Sequence, residues 1–184
     1  MQKVFPKPLS AYPWWIRIFF WKQRRKYGKV LDPGLLWGRS PRVFATVALL
    51  YGALDRRHSP ICPALRSLVT VRVSQINHCE FCVDINSATM MKRGISMEKA
   101  AAVANWRTAA SGLFTAQEQL ALEYAEAMTL NTVDDALRDK LKTYWKDDAV
   151  VELTGLLAFQ NLSSKFNSAL DLPAQGFCKL KTPT

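Results

Sequence analysis

Val71-Arg72-Val73-Ser74-Gln75-Ile76-Asn77-His78-Cys79-Glu80-Phe81-Cys82-Val83-Asp84-Ile85-Asn86-Ser87 joins two helix-compatible runs through a C-x-x-C pair. Two residues between the cysteines put both thiols on one side of a first helical turn. There they can close a small, easily reduced ring, and a thiolate gains from the helix N-terminus. A pair so placed suits the transfer of two electrons better than the stapling of a fold. Two other readings of the same cysteines stay open: half of a zinc site, or two small core residues. A structural zinc needs four ligands, and Cys62, Cys178, His58 and His78 offer neither a second C-x-x-C nor an H-x-x-x-H. Redox chemistry without a metal is the expectation carried forward.

Working outward, the flanking sequence reads as helix throughout. Pro63 starts a helix whose apolar positions 65, 68, 69, 73 and 76 keep helical spacing, despite the β-branched run Val69 to Val73. Cys79 or Glu80 opens the next, which reaches Lys92-Arg93 before a Gly94 cap. Upstream, Ser40-Pro41 places an N-cap before an N1 proline and predicts a helix through about Arg57. Downstream, Ser96 starts a short helix to about Trp106, and Thr115-Ala116-Gln117-Glu118 is a capping box for a helix through Leu130. Thr132 to Asp135 begins another, ending near Trp145. Asp147 or Asp148 then caps a long apolar helix over 150–170. Pro6, Pro8 and Pro13 make the first dozen residues irregular, and Pro33-Gly34 is expected to end a basic helical region. The fold class is all-α, one helical bundle. An N-terminal extension (1–39) precedes the helical domain (40–173), and a tail (174–184) expected to be loose follows it.

The chain has 184 residues, enough for one domain that buries roughly 70% of its unfolded surface. Half of the residues are apolar, so disulfides are not needed for stability, and a reducing cytoplasm is the expected location. The longest apolar stretch, Val43 to Leu54, is too short to span a bilayer. The N-terminus reads poorly as a signal peptide, because Arg17 interrupts Trp14 to Trp21 and no small-residue cleavage site follows. The net charge of +10 sits in one half: residues 1–72 carry 14 Lys/Arg against Asp32 and Asp55. Such asymmetry suggests an acidic partner. The Trp-rich segment before Lys22-Gln23-Arg24-Arg25-Lys26 could rest peripherally on an anionic membrane at residues 14–26. The blander alternative is a helix that docks its aromatics on the body or on another subunit. Nothing resembles a nucleic-acid module, and no nucleic-acid partner is expected.

Taken together, Val71 to Ser87, Glu123-Tyr124-Ala125-Glu126-Ala127, Glu152-Leu153-Thr154, Asn161 and Ala169-Leu170-Asp171-Leu172-Pro173 resemble the carboxymuconolactone decarboxylase family. The closer likeness is to its alkyl hydroperoxidase D-like redox branch, over residues 40 to 173. The resemblance implies a helical bundle of that type, assembled into homo-oligomers, commonly trimers or hexamers. It also implies reduction of peroxides by a thiol reductant, with the Cys79–Cys82 pair as the redox group and no other cofactor. In that branch the second cysteine is oxidised by peroxide, so Cys82 is implied as the nucleophile and Cys79 as its resolving partner. Helix physics alone favours the reverse, since the sulfur nearest the N-terminus gains most from the dipole. Decarboxylase members lack the cysteine pair, and their activity does not carry over.

The chain departs from the branch at its proton relay, a glutamate and a histidine at the positions of Ser67 and Asn86. Neither residue here is a base at neutral pH. Asn86 can still hydrogen-bond a sulfur or a water, and Ser67 can pass a proton. His78, Glu80 and Asp84 are the candidate substitutes. Each has a simpler reading, Glu80 and Asp84 as first-turn charges and His78 as a surface residue. Cys62 and Cys178 read as bystanders, and Asn105, Trp106, Tyr124 and Asn161 as core or capping groups before pocket residues. The functional expectation is a thiol-dependent peroxidase or disulfide oxidoreductase. The alternative is a non-catalytic, redox-responsive binding or scaffold protein whose relay has degraded.

Overall fold

The computed structural model describes residues 4–178, and among these it contains helices and no strand. The helices are α1 (Trp14–Tyr27), α2 (Asp32–Trp37), α3 (Pro41–Leu54), α4 (Pro63–Ile76) and α5 (Glu80–Lys92). After these come α6 (Met97–Ala102), α7 (Ala116–Leu130), α8 (Asp135–Leu141) and α9 (Asp147–Ala169). A 3-10 segment, Val103–Thr108, extends α6. The all-α expectation holds.

Helix α4 lies at the centre, packed against α5, α7 and α9. Leu68, Val69, Val71 and Val73 are completely buried, and they meet Leu122 and Ala125 of α7 and Leu153 and Leu157 of α9 in one core. The β-branched run therefore folds as helix. Its side chains have apolar neighbours on several sides, and that burial outweighs the small helix-propensity cost of Val. Elsewhere the local signals act as read: Thr115 and Glu118 form the reciprocal capping box, and Asp134 caps α8 by accepting the Leu137 amide at 2.8 Å.

Polar side chains that enter this bundle find partners. Asp55, at the end of α3, accepts Arg93 Nη2 on both carboxylate oxygens at 2.8 Å and lies 3.4 Å from Nε of the buried Arg66. Glu126 of α7 accepts Arg72 Nε at 2.6 Å, Trp106 Nε1 at 2.9 Å, and Arg107. Trp106 is thus part of a structural carboxylate cluster, and the Tyr124 hydroxyl is likewise taken up by Thr154 at 2.7 Å.

Several boundaries differ from the sequence reading. Helix α8 ends at Leu141, four residues short of Trp145, and the N-cap of α9 is Lys146, with Asp147 and Asp148 inside its first turn. The basic helix α1 stops at Gly28, whose φ of +78° is the left-handed stop that glycine allows, and Pro33-Gly34 open α2 rather than closing α1. Helix α3 ends at Leu54, three residues short of Arg57. The tail is held through Cys178, because the backbone amides of Gln175, Phe177 and Cys178 donate to the Asp84 carboxylate at 2.8, 3.0 and 2.6 Å. Residues 179–184 lie outside the described residues.

Burial pushes the Glu126 pKa up, but the hydrogen bonds from Trp106, Arg107 and Arg72 more than offset it, and the net shift is downward. A depressed carboxylate stabilises the fold above its unfolded pKa, near 4.5, and that contribution fades as pH falls through the lower folded value. Glu126→Gln is expected to cost about 1.5–3 kcal/mol at neutral pH in urea unfolding. The gap to the parent protein should narrow in acid. A gap that persists unchanged at pH 3 would refute this account.

Candidate functional site

The link between α4 and α5 places the cysteines. Asn77 and Cys79 close the end of α4 by donating to Val73 and Ser74 carbonyls, each at 3.0 Å. His78 takes a left-handed φ of +49°, and the Ser168 hydroxyl of α9 ties down the Asn77 and His78 carbonyls. Cys79 becomes the N-cap of α5, its sulfur accepting the Cys82 amide at 3.2 Å. Cys79 and Cys82 are joined by a disulfide and are 1% and 2% exposed. From α9, Asn167 Nδ2 donates to the Cys82 sulfur at 3.2 Å. Asn167 Oδ1 is buried and has no hydrogen-bond partner among the described residues.

The two relay positions fall on separate rungs of the α4–α5 contact. Asn86 donates to Ser74 Oγ at 3.2 Å, and Gln160 of α9 donates to the same hydroxyl at 3.0 Å. Ser67, two turns earlier on α4, instead accepts Arg93 at 3.1 Å. Asp84 is occupied with the three tail amides, while His78 and Glu80 are exposed. The side chain that hydrogen-bonds the disulfide from α9 is therefore an amide, Asn167, and the Asn86–Ser74–Gln160 group is likewise made of amides and a hydroxyl. Asn77, which bonds Asn161 and Ser164 at 2.8 Å each, continues that network along α9.

Each cysteine opens on a different cavity. Cys82 lies on one of about 390 Å³, walled by Phe19, Leu31, Trp37, Phe81 and Phe159, with Asn86 and Gln160 beside the sulfur. Cys79 lies on another of about 550 Å³, lined by His78, Glu80, Asp84, three alanines of the 100–104 segment, and Cys178. The first is mainly apolar and large enough for an organic molecule; the second has a more polar lining and is edged by the tail. Much of the first comes from the N-terminal extension: α1 and α2 pack Ile16, Phe20 and Trp37 onto Phe44 of α3, and Trp37 stacks on Phe166 of α9 at 3.6 Å. Trp14, Ile18 and Trp21 face outward. Among the described residues no helix is long and apolar enough to cross a membrane, and no group of three or more His, Cys, Asp or Glu side chains gathers to hold a metal.

Among the described residues this is an all-helical protein whose buried cysteine pair, joined as a disulfide, opens helix α5. The sequence model of the carboxymuconolactone decarboxylase family matches residues 41–127. The chain is 49% identical over 175 residues to the uncharacterized protein YnjA of Escherichia coli, covering 94% of this chain and 95% of the relative. The chain belongs to the carboxymuconolactone decarboxylase family. Its fold is similar to that of an uncharacterized peroxidase-related protein with an alkylhydroperoxidase AhpD core from Ralstonia eutropha JMP134. That match has a TM-score of 0.85 at 21% identity and covers 95% of this chain and 93% of that one. The debrominase Bmp8, solved with 2,3,4-tribromopyrrole, superposes with a TM-score of 0.82 at 20% identity, covering 96% of this chain and 94% of its own.

Sequence reasoning missed Asn167, Gln160 and Ser74. A weak signal existed for the first two: Gln160, Ser164 and Asn167 recur at i, i+4 and i+7, but they sit among Asn161, Ser163, Lys165 and Ser168, and only their burial shows that this stripe faces inward. Asn167 is the side chain best placed to act on Cys82. A hydrogen bond to a charged group is worth about 1.5–3 kcal/mol, or one to two pH units. In the Cys79→Ser background, Asn167→Ala is expected to move the alkylation profile of Cys82 upward by about one unit. An unmoved profile in a variant that melts normally would rule the contact out.

Proposed function

We propose that this protein is a thiol-dependent peroxidase acting through Cys82 and Cys79. The carrying observation is the Cys79–Cys82 disulfide at the start of α5, with Cys82 opening on an apolar cavity. Family membership and the peroxidase-related fold neighbour support the same reading. The Cys82 thiolate attacks the terminal oxygen of a hydroperoxide. The O–O bond breaks, sulfur becomes a sulfenic acid, and the alkoxide takes a proton and leaves as an alcohol. The Cys79 thiol then attacks that sulfur, its proton leaves with the hydroxide as water, and the disulfide forms. An external thiol reductant, reaching Cys79 from the polar cavity, returns two electrons by exchange. The disulfide is the redox group, and no further cofactor enters the cycle.

With Ser67 and Asn86 in place of an acid and an imidazole, thiolate formation falls to fixed dipoles. These are the N-terminus of α5 and the Asn167 amide. General base help is typically worth 10²–10⁴-fold, so turnover is modest. The same neutral relay favours a second reading, a redox-responsive binding or scaffold protein without turnover. We also propose self-assembly into a trimer or hexamer, in which the outward Trp14, Ile18, Trp21 and Leu49 are covered.

Consumption of an organic hydroperoxide with dithiothreitol should be abolished by Cys82→Ser. Cys79→Ser should stall after one oxidation, with a dimedone-trappable sulfenic acid at Cys82. A parent protein that cycles its disulfide yet consumes no hydroperoxide above buffer would leave the binding-protein reading. Trapping at Cys79 in the Cys82→Ser variant, with turnover retained, would reverse the assigned roles. Light scattering at micromolar concentration should give a multiple of the 20.8 kDa chain mass, and a monomer would overturn the assembly.

A further inference from the structure

Helix α1 does more than roof the Cys82 cavity. Its inner face repeats at helical spacing as Phe19, Lys22, Gln23, Lys26 and Tyr27, and all five line that cavity. The five-residue basic run is thereby divided. Lys22 and Lys26 border the cavity, whereas Arg24 and Arg25 do not, and Arg25 lies over the Trp21 ring at 4.7 Å. Gln23 is spent on structure, accepting the Leu31 amide at 3.2 Å. Among the described residues, no Asp or Glu lines this cavity. Its floor offers the Cys82 sulfur with Asn86 and Gln160, its walls are aromatic and aliphatic, and its charged lining is cationic only.

We infer that the cavity takes a hydroperoxide with a long or aromatic apolar body and a carboxylate, the carboxylate being held by Lys22 and Lys26. This rests on the peroxidase reading. The volume argues against hydrogen peroxide as the fitted substrate. A water occupies about 30 Å³ of liquid, so so small a peroxide would leave most of about 390 Å³ unfilled. The walls gain by covering apolar surface, at roughly 25 cal/mol per Å² removed from water. Lys22 and Lys26 lie one helical turn apart on the exposed rim of the cavity, Lys26 Nζ 5.0 Å from the centre of the Tyr27 ring, so that one anion at the mouth is attracted by both. Apolar walls alone would fit a neutral alkyl hydroperoxide equally well. The lysine pair separates the acid from the ester.

The test compares the hydroperoxide of linoleic acid with that of its methyl ester, at equal concentration in one nonionic detergent. The acid is expected to show at least tenfold higher kcat/KM. Lys22→Gln/Lys26→Gln should bring the ratio close to one, while Arg24→Gln/Arg25→Gln, which removes the same charge, keeps it. Equal rates for acid and ester in the parent protein would overturn the inference. So would an equal loss in both double variants, since that marks a general surface potential rather than a site. Binding of linoleate itself, followed by titration calorimetry, separates this inference from the reading beneath it. Linoleate binding that weakens about tenfold only in Lys22→Gln/Lys26→Gln, with no hydroperoxide consumed, would sustain the acid site and sink the peroxidase. Hydroperoxide turnover without such binding would do the reverse.

Discussion

Helix α4 is enclosed by α5, α7 and α9, and the placement of the cysteines depends on that enclosure. A helix buried on most sides cannot slide or rotate without opening cavities, at several kcal/mol for each large side chain lost from contact. Its last turn is therefore a fixed point. The Asn77–His78 link reverses the chain there, and Cys79 and Cys82 inherit their positions from it. Enclosure also dictates what the polar residues of α4 do. Ser74 and Arg66 cannot reach water, so each must be answered by a neighbour. The answer to Ser74, Asn86 on α5 and Gln160 on α9, runs beside the reactive sulfur.

Much of this architecture was legible because it is local. The proline and glycine stops, the Thr115 capping box and the C-x-x-C at a helix start are short-range signals, and each behaves in the fold as its chemistry requires. Pro33 misled for the same reason. It reads equally as a helix stop or as a first-turn residue, and only packing of α2 beside α1 decides. The tail was misread because its anchor is remote: Asp84 lies more than ninety residues from Gln175, and nothing near Gln175 announces it. The candidate site divides along the same line. The cysteines could be found from spacing, whereas Asn167 meets Cys82 across 85 positions. The cavity wall from α1 required knowing which face of that helix turns inward.

The N-terminal helices complete a cavity that the family-matched part of the chain does not close by itself. The family match covers residues 41–127, yet Phe19, Leu31 and Trp37 from outside it wall the Cys82 cavity. Without α1 and α2, Phe44 and Phe159 would face solvent and the disulfide would lose its cover on that side. A sulfur in an open groove meets any oxidant that diffuses by. Beneath a lid of aromatic side chains, it meets only molecules that can displace water from an apolar chamber. The bundle thus places the disulfide, and α1 and α2 close one side of the cavity above it.

The separation of Ser67 from Asn86 bears on how the thiolate is made. Along the antiparallel α4–α5 contact, Ser74 pairs with Asn86 and Ser67 pairs with Arg93, two rungs seven residues apart on each helix. Seven residues of helix rise by about 10 Å, so a proton passing from one rung to the other would need a bridge. Arg93 Nη2 is already held by both Asp55 oxygens while its Nη1 donates to Ser67, which fixes the Ser67 rung as a structural ion-pair site. A carboxylate at position 67 would compete with Asp55 for Arg93 before it served any base. The side chains of this network, Asn86, Ser74, Gln160 and Asn167, do not titrate, so in the proposed chemistry no base in the network takes the Cys82 proton. Fixed dipoles lower a thiol pKa without a proton inventory of their own. Such a site gives up the last increments of rate that a tuned base supplies, and under the proposed chemistry its pH dependence belongs to the coupled Cys79–Cys82 thiol pair.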